Sequence, residues 1–161
     1  MISDSPYASG DLVLKPGFGA AAGIVGALLM LALLQIFYPV SQLSLGSALA
    51  GIGSVVTPAG GATIAGLILH LVVAGLLGLL YALSQRRIPY RGLIGVGLLF
   101  GFVVWVISSL IIGRFLDESL RAVLRSWPWL LAHLGYGLTL AAVAIWRESH
   151  RGPEAAQSVR D

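Results

Sequence analysis

The sequence contains no cysteine, and charged side chains make up only 11% of its 161 residues. Without cysteine the protein can form no disulfide, no thiolate metal site and no cysteine nucleophile. Soluble domains carry roughly 25% charged residues, which they need to cover the surface that faces water. The scarcity of charge therefore excludes a soluble enzyme, a nucleic-acid-binding protein and a disordered tail. It also leaves few groups for catalysis, so we do not expect an enzyme.

Three long stretches, 16–85, 92–113 and 126–146, contain no charged residue. A bilayer core about 30 Å thick is crossed by roughly 20 apolar residues of helix. Four segments satisfy this length: Phe18–Phe37, Thr63–Leu83, Gly92–Ile112 and Trp127–Trp146. We therefore predict an all-α integral membrane protein that forms a single domain over residues 1–161, with a polar tail at 147–161. Residues 1–11 contain two aspartates and no basic residue, so we expect no cleaved signal peptide.

Basic residues are distributed unevenly between the two sides of the predicted spans. One side has seven: Lys15, Arg86, Arg87, Arg91, Arg147, Arg151 and Arg160. The other side has three: Arg114, Arg121 and Arg125. Loops rich in Lys and Arg stay in the cytoplasm. The distribution therefore predicts that both termini are cytoplasmic.

The two connections on the outer side each carry a helical apolar pattern. In the first, apolar residues recur at helical spacing from Leu45 to Val56, with three serines and Gly51 on the opposite stripe. In the second, the apolar face holds Leu116, Leu120, Val123 and Leu124, and the charged face holds Asp117, Glu118, Arg121 and Arg125. We predict two amphipathic helices that lie flat on the outer interface. An i,i+4 ion pair is expected between Asp117 and Arg121.

The two halves of the chain share one pattern, a span, an interfacial helix and a second span. The sequence around His70 is similar to that around His133, which predicts two repeats of the same orientation, hence two parallel-repeat hairpins. Each span also carries two small residues four positions apart: Gly19 and Gly23, Ala74 and Gly78, Gly97 and Gly101, Gly137 and Ala141. Small residues let helices approach closely, so we expect these pairs at helix packing surfaces.

His70 and His133 are the two histidines of the predicted spans. Polar groups inside a bilayer are costly and mark candidate functional sites. Both lie about 10 Å below the outer boundary, counting along each helix. Two facing neutral imidazoles are the ligand set of a b-type haem, with the other ring nitrogen of each held by a backbone carbonyl or a hydroxyl.

Other roles for the two histidines stay open. Each imidazole could simply hydrogen-bond to a hydroxyl on a neighbouring helix, and the candidates are Ser108, Ser109, Thr139 and Tyr136. A third hypothesis is that the two histidines contact a quinone or take part in a proton relay. No carboxylate lies within any predicted span, which removes the usual partner of a proton-pumping histidine and the acidic member of a catalytic triad.

Three stretches between positions 63 and 140 resemble a family of small, uncharacterised four-helix bacterial inner-membrane proteins. They run from Leu69-His70-Leu71 to Tyr81-Ala82, from Tyr90-Arg91-Gly92-Leu93 to Trp105, and over Ala132-His133-Leu134-Gly135-Tyr136-Gly137. The resemblance implies a four-helix protein of the bacterial cytoplasmic membrane and singles out His70, Arg91, Trp105, His133 and Tyr136. It implies no reaction.

We expect a non-catalytic accessory subunit of a larger membrane complex, one that serves respiratory or photosynthetic electron transfer and packs against other integral membrane subunits and lipid. A glycine stripe of the first or third span is expected to contact the partner, and Arg114, Arg121 or Arg125 to meet its acidic groups. The alternative is a small electron carrier that binds b-type haem or a quinone through His70 and His133. A small transporter or channel is a third alternative, against which the lack of a polar stripe argues.

Overall fold

The computed structural model describes residues 15–37, 39, 44–57, 60–85, 92–115 and 118–150, and this part of the chain contains helices and no strand. The helices are α1 (Pro16–Ile36), α2 (Leu45–Gly53), α3 (Ala62–Ser84), α4 (Leu93–Val106), α5 (Glu118–Leu124) and α6 (Trp127–Ser149). A π-helical turn, Ile107–Ile111, and a 3-10 turn, Ile112–Phe115, continue α4. The interruption of the third helix is a difference from the continuous span predicted at 92–112.

Four helical segments are long and apolar enough to cross a membrane: Pro16–Ile36, Ala62–Ser84, Leu93–Ile111 and Trp127–Arg147. Each boundary lies within two residues of the predicted one. The prediction of four helices with the length and apolar composition of membrane spans is confirmed. The chain therefore has the character of a membrane protein.

Local sequence signals account for where the helices begin. Pro16 is the first residue of α1, a position whose N–H has no helical partner in any case. The Ser44 side chain accepts a hydrogen bond from the N–H of Ser47 at 3.1 Å and caps α2. Gly60 has a φ of 45°, a left-handed conformation that favours glycine, and it turns the chain into α3.

Backbone contacts connect the four long helices in the order α3, α1, α6, α4, which we term the row. The helix α1 packs against α3 and α6, and α4 packs against α6. Among the described residues, α3 and α4 have almost no backbone contact with each other. The Phe37 ring, just after α1, packs edge-on against Trp127 at a centroid distance of 5.3 Å. The short helices α2 and α5 lie at this end of the bundle, which we term the α2–α5 end.

The small residues predicted to pack do so inside the chain, pair against pair. Gly19 and Gly23 of α1 lie against Ala74 and Gly78 of α3. Gly97 and Gly101 of α4 lie against the backbone of α6 at His133 and Gly137, and against the side chain of Ala141. A Cβ atom at any of these glycines would meet backbone atoms of the other helix. These two stripes are therefore filled, so the expectation that one of them contacts a different polypeptide is wrong.

The helix α2 packs along α3 and does not lie flat as a separate surface helix. Gly53 lies against the backbone of Ala62 and Gly66, and Gly66 lies against the backbone of Leu49. As the chain advances through α2, its contacts move toward the start of α3, so the two helices are antiparallel. The helix ends at Gly53, and Val55, expected on its apolar face, follows in an exposed turn. Glycines on both helices allow this close approach, which the amphipathic pattern alone did not indicate.

The helix α5 is held against the end of α4 by Arg121. Its Nε donates a hydrogen bond to the carbonyl of Gly113 at 2.9 Å, and its NH2 group lies 3.4 Å from the carbonyl of Arg114. Arg121 therefore caps the chain end of the third span, while Arg114 and Arg125 are exposed as expected. The predicted partner of Arg121, Asp117, lies outside the described residues.

Two further predictions concern segments beyond or at the edge of the described chain. The basic loop at 86–91 and the tail from residue 151 lie outside the described residues. The helix α6 continues to Ser149, three residues past the predicted end of the last span. At this end the Arg147 guanidinium lies 3.8 Å from the centroid of the Phe18 ring, a cation–π contact between α6 and α1.

Candidate functional site

A pocket of about 340 Å³ lies between α3 and α4 in the half of the bundle toward the α2–α5 end. It forms because the two helices at the ends of the row do not close against each other there. Its walls are mainly aliphatic, and five polar side chains line it: His70, Ser108, Trp129, His133 and Tyr136. The volume is in the range of small-molecule sites, which are typically concave, mostly apolar and fitted with a few polar groups.

His133 is a buried polar side chain of α6, with 5% of its surface exposed. Its Nδ1 lies 2.8 Å from the backbone carbonyl of Trp129, one turn earlier in the same helix. A carbonyl can only accept a hydrogen bond, so Nδ1 carries the proton in the neutral ring and Nε2 is left as an acceptor. This is the arrangement that orients a histidine for a ligand on its other nitrogen.

His70 lines the same pocket from α3, on the other side. The backbone of Ala27 in α1 is the polar group beside its imidazole, and the Nε2 atom is buried without a hydrogen-bond partner in the described chain. The structure thus brings His70 and His133 to one pocket, from helices that share almost no backbone contact.

The four hydroxyl groups considered as histidine partners bind backbone carbonyls instead. Ser108 donates to Trp105 at 2.9 Å, Ser109 to Leu124 at 2.6 Å, Thr139 to Gly135 at 2.9 Å and Tyr136 to Ala74 at 2.7 Å. Two of these bonds, from Ser108 and Thr139, stay within one helix, and the other two join different helices. The expectation of imidazole–hydroxyl bonds is wrong for all four, because nearby carbonyls compete for the same donors.

Tyrosine side chains close the bottom of the pocket, away from the α2–α5 end. The Tyr136 hydroxyl reaches across from α6 to the Ala74 carbonyl of α3. Beyond it, the Tyr81 ring meets Phe100 edge-on at 5.2 Å, and its hydroxyl donates to the Leu93 carbonyl at 3.3 Å. Large side chains thus fill the space between α3 and α4 in this half, while the other half stays open.

The third span and α5 form the wall of the pocket near the α2–α5 end. The Trp105 Nε1 and the Ser109 hydroxyl both donate to the Leu124 carbonyl, at 3.0 and 2.6 Å. The side chain of Leu124 is buried and lines the pocket. In the π-helical turn, Ser108 lines the pocket, and the next residue, Ser109, is buried against α5.

The chemistry that the pocket can offer is neutral hydrogen bonding within an apolar shell. No charged side chain is among the described residues that line it. The described part of the chain also contains no cluster of three or more His, Asp or Glu residues able to hold a metal ion. Acid–base catalysis that depends on a carboxylate and metal-assisted hydrolysis therefore have no residues to support them in this pocket.

Trp129 is the site residue that the sequence analysis missed. It lies two residues after Trp127 at the start of α6, and the structure separates the two. Trp127 is exposed, while Trp129 is buried, lines the pocket and lies 5.8 Å from His133 between ring centroids. The spacing of Trp129, His133 and Tyr136 at i, i+4 and i+7 places them on one face of α6, and this was the available signal.

Comparison with known proteins supports a family but no activity. No curated protein and no solved structure is significantly similar to this chain. One family model matches residues 13–154, which include all four spans, the pocket and both short helices. The chain belongs to the DUF6789 family of unknown function.

Proposed function

We propose that this protein is a membrane-embedded binding subunit that holds a small, uncharged, lipid-soluble molecule between α3 and α4. The pocket between the two histidines is the single observation that carries the proposal. Of the alternatives raised by the sequence, binding through His70 and His133 is the one that this geometry favours.

Two properties of the pocket support an uncharged molecule that arrives from the bilayer. The described lining contains no charged side chain, and burying an unpaired charge there would be very costly. The pocket also lies between two helices with almost no backbone contact, and both helices expose apolar side chains, among them Ile68 on α3 and Phe102 on α4. A molecule dissolved in lipid could enter sideways between α3 and α4.

The test is to identify what is bound to the protein when it leaves the membrane. The protein would be extracted with its surrounding lipid, without detergent, and its small molecules identified by mass spectrometry. Leu69→Trp would fill the pocket with an indole, since Leu69 lines it, and the bound molecule should be lost. Leu80→Trp is the matched control, because Leu80 is exposed on the same helix and does not line the pocket. Equal retention by both variants would contradict the proposal.

A b-type haem is the second candidate, since two imidazoles line one pocket. His70 and His133 would hold the iron, and the haem would supply one-electron chemistry. The haem also carries two carboxylates, and no described lining residue is basic, so the fit is only partial. An absorption spectrum of the purified protein decides between the candidates, because a Soret band would require haem and its absence leaves the uncharged ligand.

Membership in a larger membrane complex remains part of the proposal. The described spans expose broad apolar surface, including Val25 and Leu28 on α1, which another membrane subunit could cover. We propose a bacterial cytoplasmic membrane with both termini cytoplasmic, on the basis of the family resemblance and the excess of basic residues on one side. Gentle solubilisation followed by sizing of the particle tests the complex. A species that contains only this chain would contradict it.

A further inference from the structure

The pocket has a definite hydrogen-bonding polarity, because its donors are already used. The Tyr136 hydroxyl donates to Ala74, the Ser108 hydroxyl donates to Trp105, and the Nδ1 of His133 faces the Trp129 carbonyl. Each of these donors points at a backbone carbonyl and away from any ligand. What these three side chains still offer is lone pairs, on two hydroxyl oxygens and one imidazole nitrogen.

His70 can take either role toward a ligand. A neutral imidazole has one N–H and one acceptor nitrogen, and the buried Nε2 of His70 has no hydrogen-bond partner in the described chain. This ring can therefore accept a hydrogen bond from a ligand. Apart from this ring, the donor that the described lining offers is the Trp129 indole N–H, which is buried without a partner. The pocket therefore has an excess of acceptors over donors.

We infer that the ligand is a hydroxyl-bearing aromatic ring of the hydroquinone class, with an apolar tail that lies between α3 and α4. This rests on the proposed function and specifies the ligand of that site. The two hydroxyl groups donate hydrogen bonds to acceptors on opposite walls, one on α3 and one on α6. The ring fits the aliphatic and aromatic lining, and a neutral ring satisfies the lack of charge.

The same polarity disfavours the oxidised form of such a ring. A quinone has two carbonyl oxygens, which only accept hydrogen bonds, so it would set acceptor against acceptor at the Nε2 of His133. Buried polar groups left unpaired in this way are costly. The dimethyl ether of the hydroquinone cannot donate either, although it keeps the ring and has no ready redox chemistry. The three compounds thus separate hydrogen-bond donation from shape.

The experiment measures the binding of three decyl-substituted compounds to the purified full-length protein under anaerobic conditions: a hydroquinone, the corresponding quinone and the hydroquinone dimethyl ether. We expect the hydroquinone to bind at least about tenfold more tightly than the other two, since each lost hydrogen bond in a dry site lowers affinity several-fold. Equal or tighter binding of the quinone or the ether would overturn the inference and leave the proposed function intact.

Variants at the two histidines test whether these residues cause the tighter binding of the hydroquinone. His133→Phe keeps an aromatic ring and removes the acceptor, so the preference for the hydroquinone should fall to about threefold or less. His70→Phe is the second variant, which keeps the test available if His133→Phe does not fold. His150→Gln is the control, because His150 is exposed near the end of α6 and does not line the pocket. A preference unchanged in both phenylalanine variants would overturn the inference.

Failure of all three compounds to bind would also overturn it. The proposed function would then be judged separately, by the mass-spectrometric search for a natural ligand in the wild-type protein and in Leu69→Trp.

Discussion

The hydroxyl of Tyr136 in α6 donates a 2.7 Å hydrogen bond to the carbonyl of Ala74 in α3. These two helices otherwise have almost no backbone contact among the described residues. The Tyr136 side chain thus links α6 directly to α3, in addition to the packing of both helices on α1, and forms the floor of the pocket. The partner is a carbonyl inside a helix, so the bond adds to the helical hydrogen bonding at Ala74 and need not replace it.

Tyr136→Phe should lower the free energy of unfolding by about 0.5–1.5 kcal/mol, because it removes this hydrogen bond and keeps the ring. Unfolding titrations with a denaturing detergent measure the change. Tyr81→Phe is the matched control, since the Tyr81 hydroxyl makes a longer bond of 3.3 Å to Leu93, and its effect should be smaller. A larger loss from Tyr81→Phe would contradict the importance of the Tyr136 bond.

Gly97→Ala should destabilise the protein by about 1–3 kcal/mol, the usual cost of overpacking. A Cβ atom at Gly97 would lie 2.5 Å from the Gly137 carbonyl oxygen and 2.8 Å from the Cβ of Ala141. Gly95→Ala, two residues earlier in the same helix, meets nothing within 4 Å and should change stability by less than about 0.5 kcal/mol. Thermal unfolding of the two variants in one detergent makes the comparison. Equal stability would mean that α4 and α6 are not packed through this backbone contact.

Trp105 and Ser109 should act as a coupled pair, because both donate to the carbonyl of Leu124. After Trp105→Phe or Ser109→Ala alone, this carbonyl keeps one donor, whereas the double variant leaves it with neither. We expect the double variant to lose about 1 kcal/mol more than the sum of the single variants. A double-mutant cycle measures this coupling and cancels the packing change at Trp105. Ser108→Ala, which alters a bond within one helical turn, should show no coupling to Trp105→Phe through Leu124.

The topology predicted from the basic residues can be tested with reporter fusions. A reporter that is active only in the cytoplasm should be active when fused after Arg160, and alkaline phosphatase should be active when fused after Gly60. The two fusions place reporters on opposite sides of the membrane, so each serves as the control for the other. The reverse pattern at both positions would mean that the orientation is inverted.

The spans could be predicted from the sequence because length and lack of charge alone define a bilayer-crossing helix. The helices that these small residues pack against could not be predicted, although the sequence showed the small residues themselves. Gly97 and Gly101 follow the same spacing as Gly19 and Gly23, and a spacing does not say whether the facing helix belongs to the same chain. Only the fold shows that each glycine pair packs against the next span of the same chain, α3 for the pair on α1 and α6 for the pair on α4.

The pocket-facing side of each helix was harder to predict for a physical reason. In water, the buried face of a helix is apolar and the other face polar, so the period of the pattern reveals the core. In a bilayer both faces are apolar: Leu69 lines the pocket and Ile68 is exposed beside it. Only the rare polar residues carry orientation, which is why the sequence indicated His70 and His133 and did not indicate Trp129.

The π-helical turn at Ile107–Ile111 has a consequence for the length of the chain. Such a turn holds one residue more than an α-helical turn, so the third helix contains one residue in excess of a regular helix over the same path. Within this turn, Ser108 lines the pocket and Ser109 bonds Leu124. A homologous chain with one residue fewer between Trp105 and Gly113 would regain a regular helix, and the residues after the gap would be rotated by about 100° relative to those before it. Among members of the family, a single-residue gap at this place would therefore distinguish chains that build the pocket wall in this way from chains that build it otherwise.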